Sequence, residues 1–90
     1  MKAVQLIISG KVQGVGYRRW FEKQAQTLGL KGYVMNLPTG EVEAVIVGDD
    51  SQIEDMIQHS LIGPSRAIVV FIEMLSLQHW STFTEFKMLR

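Results

Sequence analysis

The amino-acid sequence predicts a two-layer α+β sandwich. Its hydrophobic period switches between two and 3.6 residues in the order β-α-β-β-α-β, with a short further strand at the end. Only two stretches read as helix, too few to cover both faces of a sheet. The length of 90 residues, 47% of them hydrophobic, supplies one small core, so a single domain spanning residues 1–90 is expected.

The first strand is marked by Val4, Leu6 and Ile8 alternating with Gln5, Ile7 and Ser9, and it ends at Gly10. From Tyr17 the period lengthens: Tyr17, Trp20, Phe21, Gln24, Ala25 and Leu28 share one side of a helix, and Gly29 stops it. Lys31 to Asn36 reads as the second strand and Glu41 to Gly48 as the third. Leu37-Pro38-Thr39-Gly40 makes a tight turn between them. Asp49, Asp50 and Ser51 open the second helix, where Ser51 and Glu54 fit a capping box and Ile53, Met56, Ile57, Ser60 and Leu61 form the apolar stripe. Gly63-Pro64 ends that helix. Ala67 to Leu75 is an apolar fourth strand and Phe83 to Lys87 a short fifth. This order predicts the ferredoxin-like arrangement, a mainly antiparallel sheet with two helices on one face. Ile68 to Ile72 is apolar on both faces, which fits either a dimer contact or simple strand propensity.

Composition narrows the chemistry. With no cysteine, disulfides, zinc ribbons, iron-sulfur clusters and thiol nucleophiles are all excluded. The apolar run at the start is short and broken by Gln5, unlike a secretory leader, so a cytoplasmic protein is expected. A net charge of zero argues against general attraction to nucleic acid or an anionic membrane. The charges are nonetheless segregated. Lys2, Lys11, Arg18, Arg19, Lys23 and Lys31 lie in the first 31 residues, where Glu22 is the only acid. A small local anion suits that end.

Between the first strand and first helix lies Gly10-Lys11-Val12-Gln13-Gly14-Val15-Gly16-Tyr17-Arg18. Its glycines permit backbone conformations in which successive N–H groups point into one cavity, an anion-binding nest, and the helix that follows adds the positive end of its dipole. Cations in the first turn of a helix oppose that dipole by roughly 0.3–1 kcal/mol each, so Arg18 and Arg19 look misplaced without an anion. On a helical wheel Arg19 lies almost opposite the buried stripe and Arg18 at its edge, which leaves Arg18 to curl into the loop and grip two oxygens of one phosphate. The nucleotide fingerprints fail here: no Gly-Lys-Ser or Gly-Lys-Thr closes the loop, and Arg19 stands where a dinucleotide site needs glycine.

The same segment resembles the first signature of the acylphosphatase family, which reads Gly, Arg or Lys, Val, any residue, Gly, Val, any residue, Phe or Tyr, Arg. A second signature of that family is met by Gly32, Tyr33, Val34, Met35, Asn36, Gly40, Val42 and Gly48. The resemblance implies hydrolysis of an acyl phosphate to a carboxylate and inorganic phosphate, with no metal and no cofactor. It implies that Arg18 and the backbone N–H groups of Gln13, Gly14, Val15, Gly16, Tyr17 and Arg18 bind the phosphoryl oxygens, and that Asn36 positions the attacking water. Read without the family, Asn36 is only a turn residue ahead of Leu37-Pro38. The loop holds no serine, aspartate, histidine or cysteine to take the phosphoryl group covalently, which agrees with water as the nucleophile.

His59 and His79 read as surface residues, and Asp49 and Asp50 as dipole partners rather than metal ligands. A monomer or weak homodimer without nucleic-acid or membrane partners is expected. Two other readings stand beside the enzyme. One is a family-like module that binds phosphate or carbamoyl phosphate without turnover. The other is a ferredoxin-like nucleic-acid or protein-binding domain, for which Glu41 and Glu43 on the sheet and the missing aromatic-basic pattern speak poorly.

Overall fold

A computed structural model describes all residues, Met1–Arg90. The elements are β1 (Lys2–Lys11), α1 (Tyr17–Thr27), β2 (Lys31–Asn36), β3 (Val42–Gly48), α2 (Asp50–Ile62), β4 (Ile68–Leu77) and β5 (Phe86–Met88). The sheet order is β4-β1-β3-β2-β5. β3 pairs antiparallel with both β1 and β2, so β1 and β2 run in the same direction on either side of it. β4 adds antiparallel to β1, and β5 adds parallel to β2, giving a mixed but mainly antiparallel sheet. No helix is long and apolar enough to cross a membrane.

Strand alternation decides which face is buried. Val4, Leu6, Ile8, Val34, Val42, Ala44 and Ile46 point to one side, where they meet Tyr17, Phe21 and Ala25 of α1 and Ile53 and Met56 of α2 in a single core. Both helices thus lie on one face, the ferredoxin-like arrangement expected. Burying a side chain such as Phe21 or Leu6 contributes about 1.5–3 kcal/mol, and both are fully buried. The opposite face carries a smaller cluster of Ala3, Val45 and Val47, covered by Tyr33, Leu77 and Phe83.

Several boundaries differ from the sequence expectation. β5 begins at Phe86 rather than Phe83, because Phe83 packs on the ring of Tyr33 across the open face instead of pairing with a strand. Glu41 precedes β3, being held in the turn by its carbonyl, which accepts from Leu37 N–H at 2.8 Å. β4 runs on to Leu77 because Ala3 and Val4 of β1 still offer partners at Leu77 and Ser76. The capping box of α2 is formed by Asp49 and Gln52, not by Ser51 and Glu54: Asp49 N–H donates to Gln52 Oε1 at 2.8 Å, and the Asp49 carboxylate accepts in return. Gln52 also donates from Nε2 to Leu28 O at 2.8 Å, tying the start of α2 to the end of α1. The buried stripe of α2 is Ile53, Met56 and Ser60, with Ile57 half-buried. Leu61, one step of about 100° beyond Ser60, is 50% exposed.

On β4, the outermost strand at its side of the sheet, only Ile72 is buried, while Ile68, Val70, Phe71, Met74 and Leu75 are exposed. The apolar character on both faces is therefore not explained by packing within the chain.

The capping geometry separates two variants. Asp49→Ala is expected to lower stability by about 1 kcal/mol, whereas Ser51→Ala leaves it within about 0.5 kcal/mol; urea denaturation of both variants checks this.

Candidate active site

Because β1 and β2 are parallel, their carboxyl ends emerge at the same end of the sheet. The loop after β1 and the last residue of β2 therefore meet there, around a cleft of about 220 Å³ lined by Val12, Gln13, Gly14, Gly16, Tyr17, Arg18, Arg19, Asn36 and Met88. Larger depressions exist elsewhere on the surface, but none of them gathers the loop, Arg18 and Asn36.

The loop's shape follows from its residue types. Val12 and Val15 are buried in the main core and pin the loop from below. Gly14 and Gly16 between and after them sit at φ 75° and 80°, in the left-handed region that favours glycine. Gly16 is the N-cap of α1 and brings no side-chain capping bond, and the first turn holds no acid. The first intrahelical bond is Trp20 N–H to Gly16 O, so the N–H groups of Tyr17, Arg18 and Arg19 have no acceptor within the helix. No backbone bond outside the helices and strands is donated by an N–H between Val12 and Gly16. A run of free N–H donors at the positive end of a helix dipole is what an anion requires.

Arg18 is half-buried beside the cleft, and its Nη1 donates to Leu89 O at 2.6 Å. That bond occupies one of five guanidinium donors and leaves the others for a ligand. Two further α1 side chains, each one turn on, hold the same C-terminal segment: Glu22 Oε2 accepts from Met88 N–H at 2.8 Å and Gln26 Nε2 donates to Phe86 O at 3.1 Å. The spacing of four residues from Arg18 to Glu22 to Gln26 was a signal available in the sequence, but nothing there named the strand it would hold. Asn36 lines the cleft with its Oδ1 buried and without a protein partner. An unpaired buried acceptor costs about 1–3 kcal/mol unless something donates to it.

The sequence-derived site is brought together with some changes of role. Gln13 lines the cleft, but its side-chain amide is committed to Leu37 O and Glu41 O, each at 2.9 Å, which leaves its backbone for an anion. Val15 does not line the cleft, since its side chain belongs to the core. The Tyr17 ring packs against Trp20 and Phe21, and its hydroxyl donates to Ser60 O at 2.9 Å. Arg19 is exposed, as the wheel indicates, yet it also lines the cleft: the first turn of α1 lies at the rim, where even a solvent-facing side chain borders the mouth. Met88 was missed, because a three-residue strand carries no period. His59 is half-buried with its Nδ1 enclosed and unpartnered, not fully at the surface; His79 is exposed.

A family model described as acylphosphatase matches residues 4–88. The chain belongs to the acylphosphatase family. It is 53% identical over 78 residues to an acylphosphatase of Methanocella arvoryzae, covering 87% of this chain and 89% of that one. The structure of an acylphosphatase from Coxiella burnetii superposes with a TM-score of 0.92 at 31% identity, covering 98% of this chain and 92% of the other. Part of a larger protein, HypF of T. kodakarensis, is also similar. The match has a TM-score of 0.88 at 30% identity and spans all of this chain but 12% of that one. The family signature from Gly10 to Arg18 thus corresponds to one wall of the cleft, and the second signature brings Asn36 to the other.

Burial raises the pKa of the Tyr17 hydroxyl far above its ordinary value of 10, an effect only partly offset by its bond to Ser60 O. The folded state therefore holds the phenol proton where the unfolded chain releases it, so this contribution to stability is complete below pH 10 and declines as pH rises above it. Tyr33, raised by burial and by the neighbouring Glu43 carboxylate, acts in the same direction. Unfolding by urea between pH 9 and 11 is expected to show falling stability, with a shallower decline in Tyr17→Phe.

Proposed function

We propose that the chain is an acylphosphatase, hydrolysing the carboxyl–phosphate bond of an acyl phosphate to give a carboxylate and inorganic phosphate. The observation that carries this reading is the meeting of Arg18, a run of free backbone N–H groups and Asn36 in one cleft of an acylphosphatase-family chain. In this reading the phosphoryl oxygens rest on the N–H groups of Gln13, Gly14, Val15, Gly16, Tyr17 and Arg18, with the α1 dipole behind them. The Arg18 guanidinium neutralises charge as the phosphorus–oxygen bond to the acyl group breaks. Its bond to Leu89 O holds the planar group in place, so little orientational entropy is lost when substrate arrives.

Asn36 positions the attacking water through Oδ1, which is otherwise unpaired. A carboxamide cannot remove the water's proton, and the cleft is lined by no carboxylate or histidine. The proton passes to an oxygen of the substrate's own phosphate, and the acyl carboxylate leaves as a weakly basic anion. An acyl phosphate is already activated, so positioning and charge neutralisation suffice. The reading includes a cytoplasmic monomer or weak homodimer that uses neither metal nor cofactor. Its balanced charge, and the acids Glu41 and Glu43 hydrogen-bonded on the open face, support the omission of nucleic acid from its partners.

Hydrolysis of a simple acyl phosphate, with inorganic phosphate as competitor, tests the assignment. Turnover with competitive inhibition is expected, unchanged by a chelator; phosphate binding without turnover would instead indicate a binding module. Arg18→Lys and Arg18→Gln are expected to lower kcat/KM by roughly 100-fold or more, and Arg19→Ala by less than about threefold on an uncharged acyl group. Asn36→Ala should depress kcat by roughly 100-fold while the inhibition constant of phosphate changes little.

A further inference from the structure

Gln13 occupies a position the family signature leaves open, yet its side chain makes a connection found nowhere else in the cleft. The amide has two N–H donors, and both are used: Nε2 donates to Leu37 O and to Glu41 O, each at 2.9 Å. These two carbonyls already close the β2–β3 turn, accepting from Gly40 N–H at 3.1 Å and Leu37 N–H at 2.8 Å. Gln13 therefore completes a ring of four hydrogen bonds around the turn that directly follows Asn36.

The sheet offers no comparable link. β1 and β2 do not pair with each other, because β3 lies between them. Asn36 stands at the last register pair of its hairpin, opposite Val42, immediately before the turn whose carbonyls Gln13 grips. On the other side, Gln13 is followed at once by Gly14 and Gly16, the left-handed residues of the nest. One side chain thus spans directly from the anion-binding loop to the neighbour of the water-positioning residue.

We infer that Gln13 is a positioning residue that sets the separation between the phosphate nest and Asn36, acting on catalysis through Asn36 rather than through phosphate binding. The inference rests on the proposed acylphosphatase reading. Misplacing a reacting group by about 1 Å can cost roughly 100-fold in rate, and the turn without Gln13 keeps its own two hydrogen bonds, so a smaller loss is expected. Gln13→Met keeps the length and removes both donors; Gln13→Ala removes the side chain.

The test measures kcat, KM and the inhibition constant of inorganic phosphate for wild type, Gln13→Met, Gln13→Ala, Asn36→Ala and the Gln13→Met/Asn36→Ala double variant. Urea midpoints of each are recorded alongside. Each Gln13 variant is expected to lower kcat by roughly tenfold with KM and the phosphate constant changed less than about twofold, and Gln13→Met should cost nothing further once Asn36 is alanine. Two results overturn the inference: the same tenfold loss in both backgrounds, or a phosphate constant that weakens in step with kcat. In a separate readout, the Asn36 side-chain amide should give one sharp pair of NMR signals in wild type and shifted, broadened signals in Gln13→Met. An unchanged Asn36 signal also overturns it, whether or not acyl phosphates are turned over. A wild-type chain that binds phosphate but hydrolyses no acyl phosphate instead defeats the functional reading beneath it, so the two failures are distinct.

Discussion

The site depends on β1 and β2 running in the same direction on either side of β3. Strands that are parallel deliver their carboxyl ends to the same rim of the sheet, here separated by only one intervening strand. The glycine-rich loop and Asn36, 20 or more residues from Gly14 and Gly16 in the chain, share a cleft for that reason. Were the two strands antiparallel to each other, the nest and the amide would lie at opposite ends. The hairpin β2–β3 and the crossover through α1 between β1 and β2 are together the device that creates the site.

A second layer of order comes from the C-terminal segment. Arg18, Glu22 and Gln26 form a line along α1 and hold Leu89, Met88 and Phe86 in turn, while Leu89 N–H donates to Val34 O at 2.8 Å. The segment is therefore bound on both sides, by a helix and by a strand. The Arg18 guanidinium is held by a carbonyl oxygen rather than by a carboxylate, so its positive charge is not cancelled by an ion pair. A carboxylate in the place of Leu89 O would hold the side chain just as firmly and would offset its charge. Neither Arg18 nor Arg19 takes part in a salt bridge, which keeps this end of the molecule electropositive.

Much of the fold was legible because amphipathic periods report burial directly. The α1 stripe through Tyr17, Phe21 and Ala25 and the alternation through Leu6 and Ile8 were clear, since each has one buried and one wet face. The errors have local causes. Ser51 and Asp49 are equally good capping residues in sequence, and only the position of Gln52, reaching both Asp49 N–H and Leu28 O, chose between them. Phe83 has the look of a strand residue, but its ring found Tyr33 across the sheet. Leu61 is apolar and next to a buried serine, yet one step round the helix takes it into solvent.

The sequence by itself determined most of the elements, the glycine-rich loop ahead of the first helix and the concentration of positive charge around it. These follow from backbone freedom at glycine, hydrophobic periodicity and helix dipoles, all of which act over a few residues. Tertiary structure alone decided what those elements face. It set the joining of Asn36 to the loop, the use of the Gln13 amide on Leu37 and Glu41, the entry of Met88 into the cleft and the hold of Leu89 O on Arg18. Each joins residues 18 or more apart along the chain, so no local preference encodes it. Only the register of the sheet and the packing of α1 against it bring those segments together.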